Sequence, residues 1–313
     1  MEAGGASLDF LPKPFGLLYS LEKRFTVSAI QTGFRQRLYQ WRLPVTRTDL
    51  HNVLDLSIVI PAHNEAARIL PHLSSIQDYL STQKRSYEII VVDDGSHDDT
   101  IKVVRDFAKQ EPALRVIPLP TCVGKGGAVR QGMLAARGHL QLFTDADGAT
   151  AITELDRLEQ AIVSGADLAI GSRSLAARQR EFTVETRWHR DMLGSCFNAV
   201  AQLGGIHGIS DTQCGFKLFE RSVARDLFSV STINGYGFDL ELLFVARQRG
   251  YRIVEVPVNW SDQPGSKVRL FHDSVAILRE LLLIRRQAAR GDYSPAATST
   301  ALQLRPAILP VLE

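Results

Sequence analysis

The chain has 313 residues, of which 45% are hydrophobic and 22% are charged, and its formal net charge is +2. A chain of this length and apolar content can bury a sizeable core, as one large α/β domain or two smaller ones. The small net charge gives little long-range attraction for nucleic acid, so we expect no nucleic-acid partner. The 3 cysteines lack the close spacings of zinc motifs, which favours reduced thiols and a cytoplasmic protein.

Residues 1–52 form a segment rich in aromatic side chains and arginine. This composition fits a helical arm packed on the core, a segment that lies on a membrane surface, or a disordered segment. The first residues lack the basic start and apolar stretch of a secretory signal, so we expect no cleaved leader. A membrane-spanning helix needs about twenty consecutive apolar residues, and because the chain has no such stretch we expect only peripheral membrane contact.

Residues 53–270 alternate short β-branched stretches with segments of helical period. This alternation predicts an α/β domain with a mainly parallel sheet flanked by helices. The predicted strands are 56–60, 87–92, 114–118, 140–144, 167–171 and 252–258, and the predicted helices are about 65–81, 99–110, 125–137, 153–164, 189–203, 220–228 and 238–249.

Polar residues follow four of the predicted strands. In parallel α/β sheets ligands bind beyond the carboxyl ends of the strands, so we expect these residues to gather at one rim. The stretches are Pro61-Ala-His-Asn-Glu65, Asp93-Asp-Gly-Ser96, Asp145-Ala-Asp147 and Gly171-Ser-Arg173.

Asp145 and Asp147 are one residue apart at a strand end, so their side chains should project to the same side and repel each other. A divalent cation between them would remove the repulsion, since Mg²⁺ is commonly held by one or two carboxylates together with phosphate oxygens and water. A turn at Gly148, with both carboxylates solvated or capping the next helix, fits the same residues. The polar loops around the pair favour the metal site.

A second acidic pair, Asp93 and Asp94, ends another apolar strand. Alone it fits a turn followed by a helix cap, and it also fits acceptors for the N–H of a base or for ribose hydroxyls. The glycine-rich stretch 122–128 lies between the two acidic loops. Glycines at a helix start let backbone amides approach an anion, and Lys125 adds a positive charge there.

Taken in this order, the loops resemble those of the inverting family-two glycosyltransferases with the GT-A fold. The matching segments are IVIPAHNE (58–65), VVDDGS (91–96), GKGGAVRQG (124–132), TDADGAT (144–150) and GSR (171–173), and the resemblance covers roughly 57–265. The dolichyl-phosphate β-glucosyltransferase branch is similar in DADGAT and in three later segments, whereas the mannosyl branch has DADLQ-like residues. Those segments are ISDTQCGFKLF (209–219), GFDLELL (237–243) and VPVNW (256–260).

The resemblance implies a metal-dependent inverting transfer of a hexose, with glucose from UDP-glucose as the first choice, to a polyprenyl or dolichyl phosphate. It implies that Asp145 and Asp147 hold Mg²⁺ or Mn²⁺ on the donor diphosphate and that Asp239 either contacts the donor sugar or is a charge on a helix surface. The nucleotide-sugar side would comprise Pro61, Asn64, Glu65, Asp93, Asp94, Lys125 and Asp145. The acceptor side would comprise Arg173, Arg187, Arg190, Asp211, Gln213, Gly215, Phe216 and Lys267.

A phosphate acceptor is largely dianionic near neutral pH, so it can attack the anomeric carbon without an indispensable general base. Such a lipid acceptor requires membrane contact, expected peripherally at the cytoplasmic face, and two segments suit it: 182–193, with Arg187 and Arg190, and an amphipathic helix at 271–290. Both fit equally well as helices packed on the core or on another subunit.

Residues 291–313 are predicted to be a flexible tail. The alternatives are transfer to a soluble small molecule and a non-catalytic nucleotide-sugar-binding or membrane-scaffold protein.

Overall fold

The computed structural model describes residues 53–185, 206–263 and 270–294. The chain divides into two units, Met1–Leu50 and His51–Glu313, and all described residues belong to the second. Several predicted features lie outside the described residues: the arm 1–52, the helix 189–203, Arg187, Arg190, Lys267 and the tail from 295 onward.

The described helices and strands follow the predicted alternation closely. In chain order they are β1 (Leu54–Ala62), α1 (Ile69–Ser81), β2 (Tyr87–Asp93), α2 (Thr100–Ala108), β3 (Leu114–Pro118), α3 (Lys125–Ala135), β4 (Gly138–Thr144), a 3₁₀ turn (Ile152–Glu154), α4 (Leu155–Val163), β5 (Leu168–Ser172), α5 (Arg173–Ala176), β6 (Val184–Glu185), β7 (Phe216–Glu220), α6 (Arg221–Val230), α7 (Phe238–Gln248), β8 (Ile253–Pro257), β9 (Trp260–Ser261) and α8 (Leu270–Arg290).

Seven of the described strands form one sheet, in the order β3-β2-β1-β4-β7-β5-β8. Every neighbouring pair is parallel except those of β7, which runs antiparallel to both β4 and β5. The mainly parallel sheet predicted from the sequence is therefore confirmed, and β7 is an addition to it. The strand order reverses between β1 and β4, and open α/β sheets bind ligands beyond the strand ends at such a reversal.

Helices cover both faces of the sheet, so the central strands are buried on both sides and have nearly continuous apolar sequences. Helix α3 lies close against β1 and β2, because Gly132 has no side chain; a Cβ there would be 2.3 Å from Cγ1 of Val59. This close packing brings the start of α3, with Lys125, to the rim where β1 and β4 end.

Helix α8 packs one face on the core through Ile277, Leu281 and Ile284. The chain then turns, and Tyr293 is buried, with its hydroxyl donating a hydrogen bond to Glu241 at 2.8 Å. The tail predicted from residue 291 is therefore wrong at its start, because Tyr293 fills a place in the core. Within the described part of the chain, no helix is long and apolar enough to cross a membrane.

Candidate functional site

The loops after β1 and β2 are joined by Asn64, whose backbone is in the left-handed region at φ 53°. The Asn64 side-chain oxygen accepts the backbone N–H groups of His97 at 2.8 Å and Asp98 at 3.3 Å, and its own backbone N–H donates to Oγ of Ser96 at 2.8 Å. Asparagine tolerates this backbone conformation better than most residues and can form such local bonds. Asn64 thus fixes the two loops relative to each other.

Asp94 holds the glycine-rich loop in place. Its carboxylate accepts the backbone N–H of Val123 at 2.7 Å and of Gly124 at 3.0 Å, and the thiol of Cys122 lies 3.3 Å away. Neighbouring Asp93 accepts the N–H of Ser96 at 3.2 Å. Both aspartates are buried, so their first role in this structure is to shape the rim.

His63, Asp94 and Cys122 bring potential metal-ligand atoms within 4.8 Å of one another. Hydrogen bonds account for their proximity: Nδ1 of His63 is 2.7 Å from the backbone oxygen of Asp94, and the Cys122 thiol donates to the Asp94 carboxylate. We therefore interpret the three residues as part of the loop framework.

Asp145 and Asp147 follow β4 and interact electrostatically, as their spacing predicted. Nζ of Lys125 lies 2.7 Å from Oδ1 of Asp145, and Nη1 of Arg68 lies 3.8 Å from Oδ2 of Asp147. Burial and the charge of Asp145 raise the pKa of Asp147 above its ordinary value, although the Ala149 N–H and nearby cations oppose this. The pair is thus a concentrated negative charge that attracts cations.

Arg68 links the acidic pair to Glu65. Its Nε and Nη2 donate to the Glu65 carboxylate at 2.8 Å and 2.7 Å, while its Nη1 faces Asp147. Glu65 was predicted on the nucleotide-sugar side together with Pro61, which is buried at the end of β1. In the structure Glu65 also orients Arg68, a residue that the sequence pattern did not indicate.

Gly215 packs directly against the side chain of Asp145. A Cβ on residue 215 would lie 2.0 Å from Oδ2 of Asp145, and the Gly215 carbonyl accepts the Asp145 N–H at 3.1 Å. We predicted Gly215 on the acceptor side with Gln213, which is partly buried, and Phe216, which is fully buried. The structure places Gly215 directly against the Asp145 carboxylate.

A buried ion pair lies close to Lys125. Nζ of Lys217 is fully buried, 2.6 Å from Oδ1 of Asp239, and donates to the Cys214 carbonyl at 2.6 Å. Burial raises the pKa of Asp239, while the positive charges of Lys217 and Lys125 act to lower it. Lys125 and Lys217 both lie near the ring of Phe143, at 5.6 Å and 6.0 Å.

The interpretation of Asp239 as a charge on a helix surface is wrong, since Asp239 is 3% exposed and Glu241 is 0% exposed. Glu241 accepts the N–H of Thr232 at 2.9 Å, the N–H of Ile233 at 2.9 Å and the Tyr293 hydroxyl. Glu241 therefore holds the loop before α7 and the chain after α8.

Arg173 and Asp211 form a bidentate pair at the end of β5. Nε and Nη2 of Arg173 donate to Asp211 at 2.7 Å and 2.8 Å, and the Arg173 backbone N–H donates at 2.9 Å. Burial acts to raise the pKa of Asp211, but the Arg173 charge and its hydrogen bonds bring it below its ordinary value. The guanidinium also lies 5.5 Å from the centre of the Trp260 ring. Two residues predicted on the acceptor side are thus brought together.

His72, on α1, lies beneath the turn that follows the acidic pair. It is 5% exposed, and burial lowers its pKa to about 4. A Cβ on Gly148, which has φ 66°, would be 2.9 Å from Nδ1 of His72. The sequence did not indicate His72, because a lone histidine in an amphipathic helix carries no motif.

Residues 57–228 match the family described as Glycosyl transferase family 2. A dolichyl-phosphate beta-glucosyltransferase of Dictyostelium discoideum is 37% identical over 249 residues, covering 76% of this chain and 76% of that protein. The enzyme of the same name from Drosophila melanogaster is 40% identical over 245 residues, covering 74% of each chain. The one from Saccharomyces cerevisiae is 37% identical over 254 residues, covering 76% of each.

Two solved structures share the fold. Glucosyl-3-phosphoglycerate synthase from Mycobacterium tuberculosis, in complex with Mn²⁺, UDP and glucosyl-3-phosphoglycerate, has a TM-score of 0.55 at 23% identity and covers 78% of this chain and 84% of its own. Mannosyl-3-phosphoglycerate synthase from Rubrobacter xylanophilus has a TM-score of 0.56 at 19% identity and covers 82% and 79%. These similarities establish a shared architecture.

Proposed function

The chain belongs to glycosyl transferase family 2, and we propose that it transfers glucose from UDP-glucose to a polyprenyl or dolichyl phosphate, with inversion at the anomeric carbon. The family, the GT-A fold and the enzyme class expected from the sequence are thereby confirmed. The observation that carries the proposal is the acidic pair Asp145 and Asp147 beside Lys125 at the reversal of strand order.

The acidic pair fits Mg²⁺ or Mn²⁺, the expected cofactor. Carboxylates offer only acceptor oxygens, which are the ligands that such hard cations prefer. The two charges disfavour each other, since Asp145 contributes to the raised pKa of Asp147, and a cation would relieve that repulsion. When bound, it would stabilise the negative charge that develops on the departing UDP.

On the donor side we propose that Lys125 binds the diphosphate and that Asp93 and Asp94 set the position of the uridine. Lys125 is the first residue of α3, so it lies where a helix N-terminus already favours an anion. Asp94 holds the loop just before that helix through the N–H groups of Val123 and Gly124. Asn64 and Glu65 support the same region by fixing neighbouring loops and Arg68.

On the acceptor side we propose that Arg173 binds the phosphate. Asp211 accepts hydrogen bonds from Nε and Nη2 of Arg173, and among the described residues Nη1 donates none. The pair therefore holds a guanidinium in one orientation while leaving a donor for an incoming phosphate. Arginine suits this task because its planar donors match phosphate oxygens.

The acceptor phosphate needs no general base, since its second pKa is about 6 and it is largely ionised near neutral pH. Asp239 is poorly suited to act as one, because it is buried and paired with Lys217 at 2.6 Å. We propose that Asp239 is a positioning residue: its carboxylate holds the two neighbouring lysines, Lys125 and Lys217, in place at the donor site. Loss of transfer in Asp239→Asn with donor and metal binding intact would argue for a base instead.

Helix α8 offers a surface for an anionic membrane at the cytoplasmic face. Its outer side exposes Leu278, Leu282 and Leu283, with Leu282 71% exposed, and four exposed arginines surround them. They are Arg279, Arg285, Arg286 and Arg290. Exposed leucines beside arginines are typical of a helix that lies in the headgroup region, where the cations attract anionic lipids.

Sedimentation with vesicles of phosphatidylserine and phosphatidylcholine tests this contact. The wild type should pellet with the vesicles at low salt, and Leu282→Glu should remain largely in the supernatant. Leu70→Glu is the matched control, because Leu70 is also exposed but lies on α1. Equal sedimentation of the wild type and Leu282→Glu would contradict the assignment of α8.

The activity is tested with the purified full chain, Mg²⁺ or Mn²⁺, a panel of UDP- and GDP-sugars and a short polyprenyl phosphate, with lipid-linked sugar read by mass. The highest yield is expected with UDP-glucose, and Asp145→Asn and Asp147→Asn should lose it. Transfer to a soluble phosphate acceptor without any lipid product would overturn the proposed acceptor.

A further inference from the structure

Lys125 is placed where it competes with a metal for Asp145. Its ammonium nitrogen is 2.7 Å from Oδ1 of Asp145, a direct ion-pair distance. A divalent cation that arrives without a nucleotide would find Asp145, one of its two proposed carboxylate ligands, already paired with the ammonium group of Lys125. If the cation separated Lys125 from Asp145 and no other anion replaced that carboxylate, the partly buried ammonium group would be poorly compensated. Such a separation costs free energy.

The surroundings of Lys125 form a row of alternating charges. Lys125 interacts electrostatically with both Asp145 and Asp239, and Asp239 in turn is paired with Lys217 at 2.6 Å. Lys217 has no exposed surface and also donates to the Cys214 carbonyl, so this part of the row is fixed. Lys125 keeps some solvent exposure and lies at a helix start, so it is the cation of the row that is free to change partner.

We propose that Lys125 exchanges partners when donor binds: it neutralises Asp145 in the absence of donor and transfers its ammonium group to the donor diphosphate when a divalent cation takes that carboxylate. The inference rests on the proposed function and assigns Lys125 the coupling between metal and nucleotide. A diphosphate and a divalent cation together add little net charge, whereas the cation alone adds two positive charges beside Lys125. Metal and nucleotide should therefore strengthen each other's binding, by the same factor in both directions.

Calorimetric titration of the full chain with Mn²⁺, without and with UDP, tests the exchange. For the wild type we expect UDP to tighten Mn²⁺ binding at least about tenfold, equal to about 1.4 kcal/mol. Lys125→Met should bind Mn²⁺ alone more tightly than the wild type and bind UDP at saturating Mn²⁺ more weakly. The control is Lys109→Met, since Lys109 is an exposed lysine that is also paired at 2.7 Å, with Asp106. It should match the wild type in both titrations.

The opposite signs of the two effects separate an exchange from damage to the fold, which would weaken both. Lys125→Gln, checked by circular dichroism, provides a second uncharged variant should the methionine variant fold poorly. Unchanged or weaker Mn²⁺ binding in a folded Lys125 variant would overturn the exchange while leaving glucose transfer untouched. No Mn²⁺ binding by the wild type, even with UDP, would overturn both the metal site and this inference.

Discussion

Gly215 and Asp145 touch so closely that a Cβ atom on residue 215 would lie 2.0 Å from Oδ2 of Asp145. The contact joins the acidic loop after β4 to the segment that leads into β7, because the Gly215 carbonyl also accepts the Asp145 N–H. Any side chain at 215 must displace the carboxylate or the backbone beneath it. The geometry of the proposed metal site therefore depends on the absence of a side chain in a different segment.

Gly215→Ala should lower kcat/KM for glucose transfer by about 100-fold, because displacements of about 1 Å in a site of this kind have effects of that size. Mn²⁺ affinity, measured by titration, should fall as well. Gly208→Ala is the control: a Cβ there meets nothing within 4 Å, so the variant should keep the wild-type kcat/KM even though φ at that position is 73°. Wild-type kcat/KM in Gly215→Ala would show that Asp145 is not held in a critical position.

Arg173→Lys should raise KM for the phosphate acceptor at least about tenfold, because lysine cannot keep the bidentate contact to Asp211 and present a further donor. KM for UDP-glucose should stay close to that of the wild type, since Arg173 is assigned to the acceptor. Arg178→Lys, at an exposed position a few residues on, is the matched control. A rise in the donor KM alone would move Arg173 to the donor side of the site.

Because His72 is buried, we expect it to make the stability of the folded protein sensitive to acid. Its folded pKa of about 4 is below the ordinary 6.5, so between these values the unfolded chain binds a proton that the folded chain excludes. The contribution of His72 to stability is therefore complete above pH 6.5 and is lost as pH falls toward 4. Relative to His72→Asn, the free energy of unfolding of the wild type should decrease by about 3 kcal/mol between pH 7 and pH 4.

Urea unfolding at several pH values measures this difference. His97→Asn serves as the control, because it also replaces one histidine by asparagine, at an exposed position. If the wild type and His72→Asn lose stability in parallel as the pH falls, the imidazole is protonated as readily in the folded protein as in the unfolded chain.

Tyr293 should contribute measurably to stability although it lies beyond the last helix. Tyr293→Phe removes the hydroxyl that donates to Glu241 at 2.8 Å, and loss of a buried hydrogen bond to a carboxylate costs about 1.5–3 kcal/mol. Tyr87→Phe is the control, because its hydroxyl lies 3.3 Å from the nearest Glu111 oxygen and is less buried. Chemical denaturation would contradict the assignment if the two variants were equally stable.

The sequence was sufficient to predict the parallel strands because each is a short, largely apolar stretch, and four of the predicted strands are followed by polar residues. It did not predict β7, since Phe216–Glu220 carries Lys217 as its second residue and a charge inside a buried strand contradicts the usual pattern. The partner that permits it, Asp239, is on α7. Pairing of this kind depends on the three-dimensional fold and leaves no local pattern.

In the candidate site, too, some features follow from the sequence and others depend on the three-dimensional fold. The convergence of Asp145 and Asp147 followed from their spacing, whereas Arg68 and His72 carry no motif and enter the site only because α1 packs beside the acidic loop. Asp94 was expected either in a turn that caps a helix or as an acceptor for the nucleotide, and its hydrogen-bond partners in the structure come from a loop about thirty residues later. Sequence motifs predicted which residues gather, and the folded structure decides which of them support the others.

The buried pair of Lys217 and Asp239 also bears on how the chain selects its native pairing during folding. Side chains of successive strand residues point to opposite faces, so a slip of β7 by one residue would turn Lys217 to the other face of the sheet. There it would lack Asp239 and leave an uncompensated charge in the interior, at a cost of about 3–5 kcal/mol. The lysine thus penalises misaligned pairing of β7 as the chain folds, before any substrate is bound.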